Sequence, residues 1–494
     1  MNYQEALAYL YSLSDFERSG LYNRNPEENL PRESRLLEVL GNPHHNYTNT
    51  LIAGTKGKGS TAAFIERVLR QAGLRVGLYT QPDLHTFRER IRVNGRLISE
   101  NEVAELLPEV HAAVESVQAE GKFGPFITYE VATALALLYF SRQHVEHAVL
   151  EVGLGGRLDA TNVTQPLVSV LTSISYDHTQ ILGETLTEIA TEKSGIIKPN
   201  GVVVTSARAP EALLAIAAVG KQQHAHIVRV GSAEGDPAQA EVDAGRLPAL
   251  SYRYRLEERS EQHQRFTVWT AEHAISKTIA RPPIWGAGDA PTQERVYTGL
   301  EIPLAGQHQL ENATAALATL ELLRERGIMW DEEALRAGFQ AVRWPARIEV
   351  VEHSPMIVVD GAHNADSMQQ LKQALRSSFT FQRLIMVLSV ARDKDLVGIA
   401  RALADVDTVI LTRMMNPRAA TIEQLHAVFA EHAPQVRLET SSDSSSAMKL
   451  ALDLAESSDL ICAAGSLYLA AEVLRWAAAR GDKTAAATIE SVDH

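Results

Sequence analysis

A short stretch near the start of the chain has the residue types of a phosphate-binding loop. The apolar run Leu51-Ile52-Ala53 leads into three glycines and two lysines, and a helical pattern follows at once. Glycines let backbone N–H groups point at an anion, and the helix N-terminus adds partial positive charge. Lys58 would then reach the terminal phosphates of a nucleotide, and the Ser60 hydroxyl would hold Mg²⁺. The nucleotide-binding residues predicted here are Gly54, Thr55, Gly57, Lys58, Gly59, Ser60 and Thr61.

The spacing of this loop departs from the general phosphate-loop pattern G-x-x-x-x-G-K-[ST]. The first gap is shorter, and Gly59 stands between Lys58 and Ser60. A glycine-rich turn that only caps a helix is therefore an alternative. Three glycines are costly in backbone entropy for a plain turn, so the pattern favours phosphate binding.

Hydrophobic periodicity predicts the elements that would position this loop. Apolar residues from Phe64 to Ala72 recur at helical spacing, and Gly73 ends the pattern. Strand patterns then alternate with helical ones, at residues 75–79, 148–152, 168–174 and 202–205. This alternation predicts an α/β fold with a doubly wound, mostly parallel sheet that carries ligand loops at its strand ends.

Two further polar residues stand near predicted ligand loops. Glu130 opens a long apolar helix pattern, where a carboxylate either caps the helix or binds a metal ion. His178 follows a predicted strand, and a structural role and a ligand role are equally supported there. For neither residue does the composition of the sequence distinguish a structural role from a ligand role.

The pattern changes twice farther along the chain. Between about residues 231 and 303, short alternating stretches predict a small antiparallel annex inserted into the first domain. A break around Trp344-Pro345 divides the chain into a phosphate-loop domain, 1–344, and a second domain, 345–494. Strand and helix patterns after the break predict a smaller, Rossmann-like α/β domain.

The composition restricts the classes of function. The 494 residues include 47 Lys and Arg against 61 Asp and Glu, and the net charge of −14 disfavours nucleic acid or an anionic membrane as the partner. No stretch reads as a signal peptide or is long enough to span a bilayer. The single cysteine, Cys462, allows no internal disulfide, which suits a reducing cytoplasm. We expect a cytoplasmic monomer that acts on small molecules.

Five motifs occur together and in order. They are Gly54-Thr55-Lys56-Gly57-Lys58-Gly59-Ser60-Thr61, Glu151-Val152-Gly153-Leu154-Gly155-Gly156-Arg157-Leu158-Asp159-Ala160-Thr161-Asn162, Asp177-His178, Glu192-Lys193-Ser194-Gly195-Ile196-Ile197 and Asp360-Gly361-Ala362-His363-Asn364. In these motifs the chain resembles the folylpolyglutamate synthase and dihydrofolate synthase family, relatives of the muramyl-peptide ligases. The resemblance covers nearly the whole chain except the annex and the tail.

This resemblance implies an ATP-dependent amide ligase. Such an enzyme phosphorylates the terminal carboxylate of a folate, and the amine of L-glutamate then attacks the acyl phosphate, so that ADP and phosphate are released. The implied acceptors are tetrahydrofolate polyglutamates, with dihydropteroate as a second candidate. The chemistry needs clustered cations and precise placement of the substrates, and no protein nucleophile.

The resemblance also implies roles for single residues. Lys58 contacts the phosphates, Ser60 and Glu130 hold one Mg²⁺, and Glu130 and His178 help to hold a second. Lys193 matches a lysine that becomes carbamylated in this family and serves as a metal ligand. Lys58, His178 and Lys193 are thus the implied catalytic residues. The positions that match ATP-binding residues between the two domains are Asn312, Arg347, Asp360 and His363.

Some residues depart from the family pattern. Lys56 replaces the usual asparagine of the phosphate loop, which adds charge there. Gln81-Pro82-Asp83 replaces the usual Ser-Pro-His in the loop of residues 81–90 that matches the pterin-side folate loop.

Two other functions are alternatives. One is a ligase of the same mechanism with another acceptor, such as a cell-wall precursor. The other is a phosphate-loop nucleotide switch, but Glu151 stands where such NTPases end a strand with Asp.

Overall fold

The computed structural model of the chain describes residues 1–14, 25–271 and 295–481. Two β-sheets organise them. The strands of the first sheet are β1 Thr48–Ala53, β2 Val76–Tyr79, β3 Ile91–Val93, β4 Arg96–Leu97, β5 His147–Glu151, β6 Val168–Leu171, β7 Val202–Thr205, β8 His226–Ser232, β9 Leu250–Arg259, β10 Gln264–Thr270 and β11 Val296–Ile302. The strands of the second sheet are β12 Glu349–His353, β13 Met356–Val359, β14 Leu384–Leu388, β15 Thr408–Leu411, β16 Arg437–Thr440 and β17 Leu460–Ala464.

Helices cover both sheets. Those that precede the second sheet are α1 Tyr3–Ser12, α2 Asn29–Val39, α3 Lys58–Gln71, α4 Glu100–Ala119, α5 Thr128–Arg142, α6 Thr179–Leu182, α7 Leu186–Ser194, α8 Pro210–Gln222, α9 Gln239–Asp243, α10 Gln307–Glu325 and α11 Glu332–Gln340. Those of the second half are α12 Ala365–Ser378, α13 Leu396–Ala402, α14 Ile422–His432, α15 Ser444–Leu454 and α16 Leu467–Ala479.

The first sheet has the order β11-β10-β9-β8-β7-β6-β1-β5-β2-β3-β4. Its centre, from β8 to β2, is parallel, as predicted. The predicted antiparallel annex is found as β9, β10 and β11, but it is not a separate layer: β9 pairs with β8, so the annex continues the same sheet to its edge. The part of the annex at residues 272–294 and the tail after residue 481 lie outside the described residues.

Apolar side chains on both faces of the first sheet explain why it is doubly wound. One face packs on α3 and α10, through buried residues such as Phe64, Ile65 and Leu317. The other face packs on α4 and α5, through residues such as Val131 and Leu135. Strands buried on both faces are typical of parallel sheets.

The second sheet has the order β12-β13-β17-β14-β15-β16 and is parallel except for the β12–β13 hairpin. Its two faces also carry separate apolar clusters, one under α12, α13 and α14 and the other under α15 and α16. The prediction of a smaller Rossmann-like second sheet is confirmed. None of the helices in the described part of the chain combines the length and the apolar character needed to cross a membrane.

One buried carboxyl group in this fold has no hydrogen-bond partner among the described residues and allows a prediction about stability. The side chain of Glu33 in α2 is fully buried, and neither carboxylate oxygen has a hydrogen-bond partner within the described residues. Burial and the neighbouring Glu130 raise the pKa of Glu33 well above its usual range. The folded protein therefore keeps a proton that the unfolded chain releases above about pH 4.5, so this carboxyl destabilises the fold progressively as pH rises.

We expect Glu33→Gln to stabilise the protein at pH 8.5 by about 2 kcal/mol and to have little effect near pH 4.5, because glutamine has the same shape without a titratable proton. Thermal melts of the parent and the variant at pH 5.5 and pH 8.5 measure the effect. The gain in Tm should grow with pH; a gain that is equal at both pH values would contradict the assignment of a buried, protonated Glu33.

Candidate active site

The phosphate loop follows β1 and leads into α3, as predicted. Gly54 and Gly57 have φ angles of +147° and +86°, in a region that favours glycine. A Cβ atom on Gly57 would lie 2.3 Å from Oδ1 of Asn312, so α10 presses directly on the loop. The structure thus places Asn312, which matches an ATP-binding position of the family, beside the phosphate loop.

The rest of the loop is anchored to the strand end beside it. The backbone N–H of Thr55 donates to the carbonyl of Ser173 at 2.7 Å, and its hydroxyl donates to the carbonyl of Ser175 at 3.1 Å. A Cβ atom on Gly59 would lie 2.8 Å from the ring of Trp344. The close approach of this ring explains why the residue between Lys58 and Ser60 is a glycine.

Two lysine side chains converge on one backbone carbonyl of the loop. Nζ of Lys58 donates to the carbonyl oxygen of Gly54 at 3.3 Å, and Nζ of Lys193 donates to the same oxygen at 3.1 Å. Burial, with a contribution from the charge of Lys58, lowers the pKa of Lys193 to about 7. Near neutral pH a large share of Lys193 is therefore the uncharged amine, which is a nucleophile.

Hydroxyl groups around the loop fit an oxygen-rich ligand. Ser60 and Thr61 are buried in the first turn of α3. The buried Oγ1 of Thr61 and Oγ of Ser175 have no hydrogen-bond partner in the described part of the chain. Because buried hydroxyls normally find a partner, these atoms favour a site that a polar ligand completes.

Glu130 occupies a different environment from the one predicted for a metal ligand. Its carboxylate accepts hydrogen bonds from the guanidinium of Arg32, at 2.5 Å from Nη2, and from the backbone N–H of Ile127 at 3.0 Å. Both Arg32 and Glu130 are 1% exposed. Oε2 caps α5 through Ile127 and Oε1 binds Arg32, so both carboxylate oxygens have partners, and the observed contacts join Glu130 to neither Ser60 nor His178.

Glu151, which the sequence analysis did not include among the site residues, is the carboxylate that faces the loop. It is the last residue of β5, directly beside Ile52 of β1, and its Oε1 lies 3.9 Å from Nζ of Lys58. Its Oε2 accepts a hydrogen bond from the backbone N–H of Gln81 at 3.3 Å. Burial raises the pKa of Glu151, and Lys58 opposes that rise. The signal that could have revealed it was its place at the end of the strand next to the phosphate-loop strand.

A cluster around Asp177 joins the two sheets. Lys394, between β14 and α13, donates to Oδ1 of Asp177 at 2.9 Å, and Nε2 of His363 lies 3.6 Å from Oδ2. Burial disfavours ionisation of Asp177, but His363 and Lys394 outweigh it and hold the pKa of Asp177 below its usual range. The sequence analysis gave Asp177 no role of its own.

His178 lies beside this cluster in a left-handed backbone conformation, with a φ of +50°. Its Nε2 is 3.9 Å from Oδ1 of Asp177. Burial lowers the pKa of His178 to about 4, although Asp177 acts in the opposite direction. The ring is therefore neutral at physiological pH, the form in which imidazole binds a metal.

The residues predicted around β13 of the second sheet lie next to the Asp177 cluster, because His363 contacts Asp177. Asp360 follows β13 and accepts hydrogen bonds from the backbone N–H groups of Ile348, at 2.9 Å, and Ala362, at 2.7 Å. Burial raises the pKa of Asp360, and the charge of Arg347 opposes that rise.

The turn after Asp360 is in close contact with Arg347. A Cβ atom on Gly361 would lie 2.5 Å from Nη1 of Arg347, which shows how closely this guanidinium approaches the turn. Nδ1 of His363 donates to the carbonyl of Gly361 at 2.8 Å.

The loop at residues 81–90 follows β2 and contacts Glu151 at the end of β5. Nε2 of Gln81 donates to the carbonyl of Glu151 at 3.3 Å and to the hydroxyl of Tyr129 at 3.2 Å. Tyr129 in turn donates to Oδ1 of Asp159 at 2.9 Å. Asp83 pairs with the buried Arg90, at 2.5 Å from its Nε. The residues that depart from the family pattern therefore have partners of their own and connect the loop to Glu151.

Within the described ranges, no group of three or more His, Cys, Asp or Glu side chains is arranged to hold a metal ion by itself.

Comparisons with known proteins show which proteins the chain is similar to. A model of the Mur ligase middle domain matches residues 52–320, and a model of the Mur ligase glutamate ligase domain matches residues 346–467. The dihydrofolate synthase/folylpolyglutamate synthase of Bacillus subtilis is 31% identical over 475 residues, which are 95% of this chain and 98% of that protein.

Another relative is longer. The probable bifunctional folylpolyglutamate synthase/dihydropteroate synthase of Halobacterium salinarum is 35% identical over 478 residues, 96% of this chain, but the chain spans only 52% of that protein's length. Among solved structures, Escherichia coli FolC in complex with DHPP and ADP superimposes with a TM-score of 0.78 at 27% identity, covering 97% of this chain and 98% of that one.

Proposed function

Because the chain belongs to the dihydrofolate synthase/folylpolyglutamate synthase family of Mur ligases, we propose that it adds L-glutamate to the terminal carboxylate of a folate, with cleavage of ATP to ADP and phosphate. The observation that carries this proposal is the convergence of Lys58 and Lys193 on the phosphate loop, with Arg347 and His363 of the second half of the chain close to Glu151 and Asp177. Such an arrangement would place the cations Lys58 and Arg347 around a triphosphate, one from each half of the chain, with Lys193 as an amine beside them.

The reaction needs these residues for placement and charge. A carboxylate oxygen of the acceptor attacks the γ-phosphorus of ATP and ADP leaves, which gives an acyl phosphate. The amine nitrogen of glutamate then attacks the acyl carbon, the C–O bond to phosphate breaks, and the nitrogen loses a proton. Lys58 and the N–H groups at the start of α3 would neutralise the charge on the transferring phosphoryl group. Asn312, Arg347, Asp360 and His363 would position the nucleotide.

We assign Mg²⁺ to the space between Ser60 and Glu151, with His178 and Lys193 as candidates for a second ion. The buried hydroxyls of Thr61 and Ser175, which have no partner in the described part of the chain, add oxygen atoms that suit Mg²⁺, whereas the ion pair with Arg32 makes Glu130 a structural residue in this proposal. When bound, Mg²⁺ would offset the negative charge of the phosphates. The nitrogen of a neutral Lys193 can add carbon dioxide with loss of a proton, and the resulting carbamate would supply oxygen ligands.

The test of the function is ADP release from ATP and L-glutamate with three acceptor conditions: none, dihydropteroate and tetrahydrofolate. Release with both acceptors would identify a bifunctional enzyme, and release with tetrahydrofolate alone a polyglutamylating one. Release with neither would contradict the folate assignment and favour a ligase with another acceptor. Release independent of any acceptor would favour a nucleotide switch.

The role of His178 gives a more specific prediction. We expect His178→Ala to lower kcat and to raise the Mg²⁺ concentration needed for half-maximal rate several-fold, because a neutral imidazole ligand is lost. A titration of Mg²⁺ at saturating ATP measures this. An unchanged titration would remove His178 from the metal site.

The remaining assignments concern the whole protein. We propose that the two catalytic units divide at residues 344–345, near the linker that carries Arg347. We also propose that the enzyme acts as a cytoplasmic monomer on small-molecule substrates, without nucleic acid or a membrane as a partner. Its single cysteine is buried in β17 and unpaired, which is compatible with a reducing compartment.

A further inference from the structure

The strongest feature of this site without an assigned role is an ion pair that includes a residue of the phosphate loop. Nζ of Lys56 donates to Oδ2 of Asp366, which lies in the first turn of α12 in the second half of the chain. The ammonium group thus bridges 310 residues of sequence and joins the two sheets at the nucleotide site. The reaction chemistry described above uses neither residue.

The main chain at Lys56 is fixed, so the side chain alone makes this crossing. The hydroxyl of Ser173 donates to the carbonyl of Lys56 at 3.2 Å, next to the anchored Thr55. Asp366 is favoured at its position because a carboxylate in the first turn of a helix interacts with the helix dipole. Each residue is therefore anchored within its own domain, and the ion pair between them depends on the relative position of the two domains.

We propose that Lys56 is a positioning residue for nucleotide binding: by pairing with Asp366 it holds the second domain over the phosphate loop, so that Arg347, Asp360 and His363 meet the nucleotide bound there. This inference rests on the proposed function. Two nearby crossings support it: Asp177 with Lys394 at 2.9 Å, and His85 with Arg475 at 3.2 Å between the ring nitrogen Nδ1 and Nη1. Of these three contacts between the two halves of the chain, Lys56–Asp366 is the one that includes a residue of the phosphate loop.

A partly exposed ion pair adds little to overall stability, and here the side chain of Asp366 is 50% exposed and that of Lys56 is 19% exposed. The effect of the Lys56–Asp366 pair should therefore appear in the fraction of molecules whose second domain is held over the phosphate loop, rather than in the melting temperature. When only part of the protein is in the binding-competent state, the apparent dissociation constant rises by the inverse of that fraction.

The test measures binding of a non-hydrolysable ATP analogue by calorimetry to the full chain and its variants. We expect Lys56→Asn and Asp366→Asn each to weaken binding about five-fold, and the double variant to be no weaker than either single variant. Lys56→Arg should stay within two-fold of the parent, because arginine keeps the charge and the reach. In steady state, KM for ATP should rise in both single variants while kcat changes less than two-fold.

Asp405→Asn is the matched control. Asp405 is 52% exposed and pairs with Lys372, but both partners lie in the second domain, so its removal should leave ATP affinity and KM unchanged. Weaker binding in Lys56→Asn but not in Asp366→Asn would mean that Lys56 acts on the phosphates directly, which would overturn the proposal, as would additive effects in the double variant or no effect in either. A parent protein that does not bind the analogue would instead refute the proposed function.

Discussion

Substitution of Lys58 by alanine is expected to reduce kcat by on the order of 10³-fold or more while the protein stays folded. The Lys58 ammonium lies at the phosphate loop, 3.3 Å from the carbonyl of Gly54 and 3.9 Å from Glu151, and it packs in none of the apolar clusters. Its loss therefore removes a charge that opposes the phosphoryl group and leaves the core intact.

The measurement is single-turnover ADP formation, with circular dichroism and a thermal melt to confirm the fold. Lys122→Ala is the control, since Lys122 is an exposed lysine that pairs only with Glu120, at 3.1 Å, among the described residues. Turnover like that of the parent in Lys58→Ala would refute the assignment of this loop to nucleotide chemistry.

Substitution of Glu151 by glutamine is expected to lower kcat by about 10²-fold and to raise the Mg²⁺ requirement at least ten-fold. The amide keeps the shape of the side chain but removes the negative charge that faces Lys58 and the loop. A Mg²⁺ titration of the initial rate measures the change.

The Glu130→Gln variant tests whether Mg²⁺ is bound by Glu151 or by Glu130, the residue for which the sequence implied a metal role. Because Glu130 is the buried partner of Arg32, its substitution should destabilise the protein by about 3 kcal/mol and leave the Mg²⁺ titration unchanged. The opposite pattern, with Glu130→Gln shifting the Mg²⁺ dependence and Glu151→Gln leaving it unchanged, would return the metal role to Glu130.

Local patterns were sufficient to predict most of the fold. The loop from Gly54 to Thr61 and the helix after it depend on glycines, a lysine and apolar spacing, all of which are visible in one stretch of sequence. The alternation of strands and helices likewise predicted the central parallel order, because neighbouring strands buried on both faces have few other arrangements.

The assignments that changed depend on contacts between distant residues. Glu130 binds Arg32, which lies 98 positions away, and Glu151 meets Lys58 only because β5 pairs with β1. The extension of the first sheet by β9, β10 and β11 depends on the pairing of β9 with β8, which alternation within β9 does not reveal. A single sequence carries no direct record of such pairings, so the contacts of Asp177 with His363 and Lys394 could not be found from it.

The central claim is that a folate carboxylate, and not water, receives the phosphoryl group. The most direct measurement uses tetrahydrofolate labelled with ¹⁸O in its terminal carboxylate, incubated with ATP and L-glutamate, and follows the label by mass spectrometry. We predict that one labelled oxygen appears in each phosphate released and that the other stays in the new amide. Phosphate without label, formed at the same rate with or without folate, would contradict the acyl-phosphate ligase mechanism.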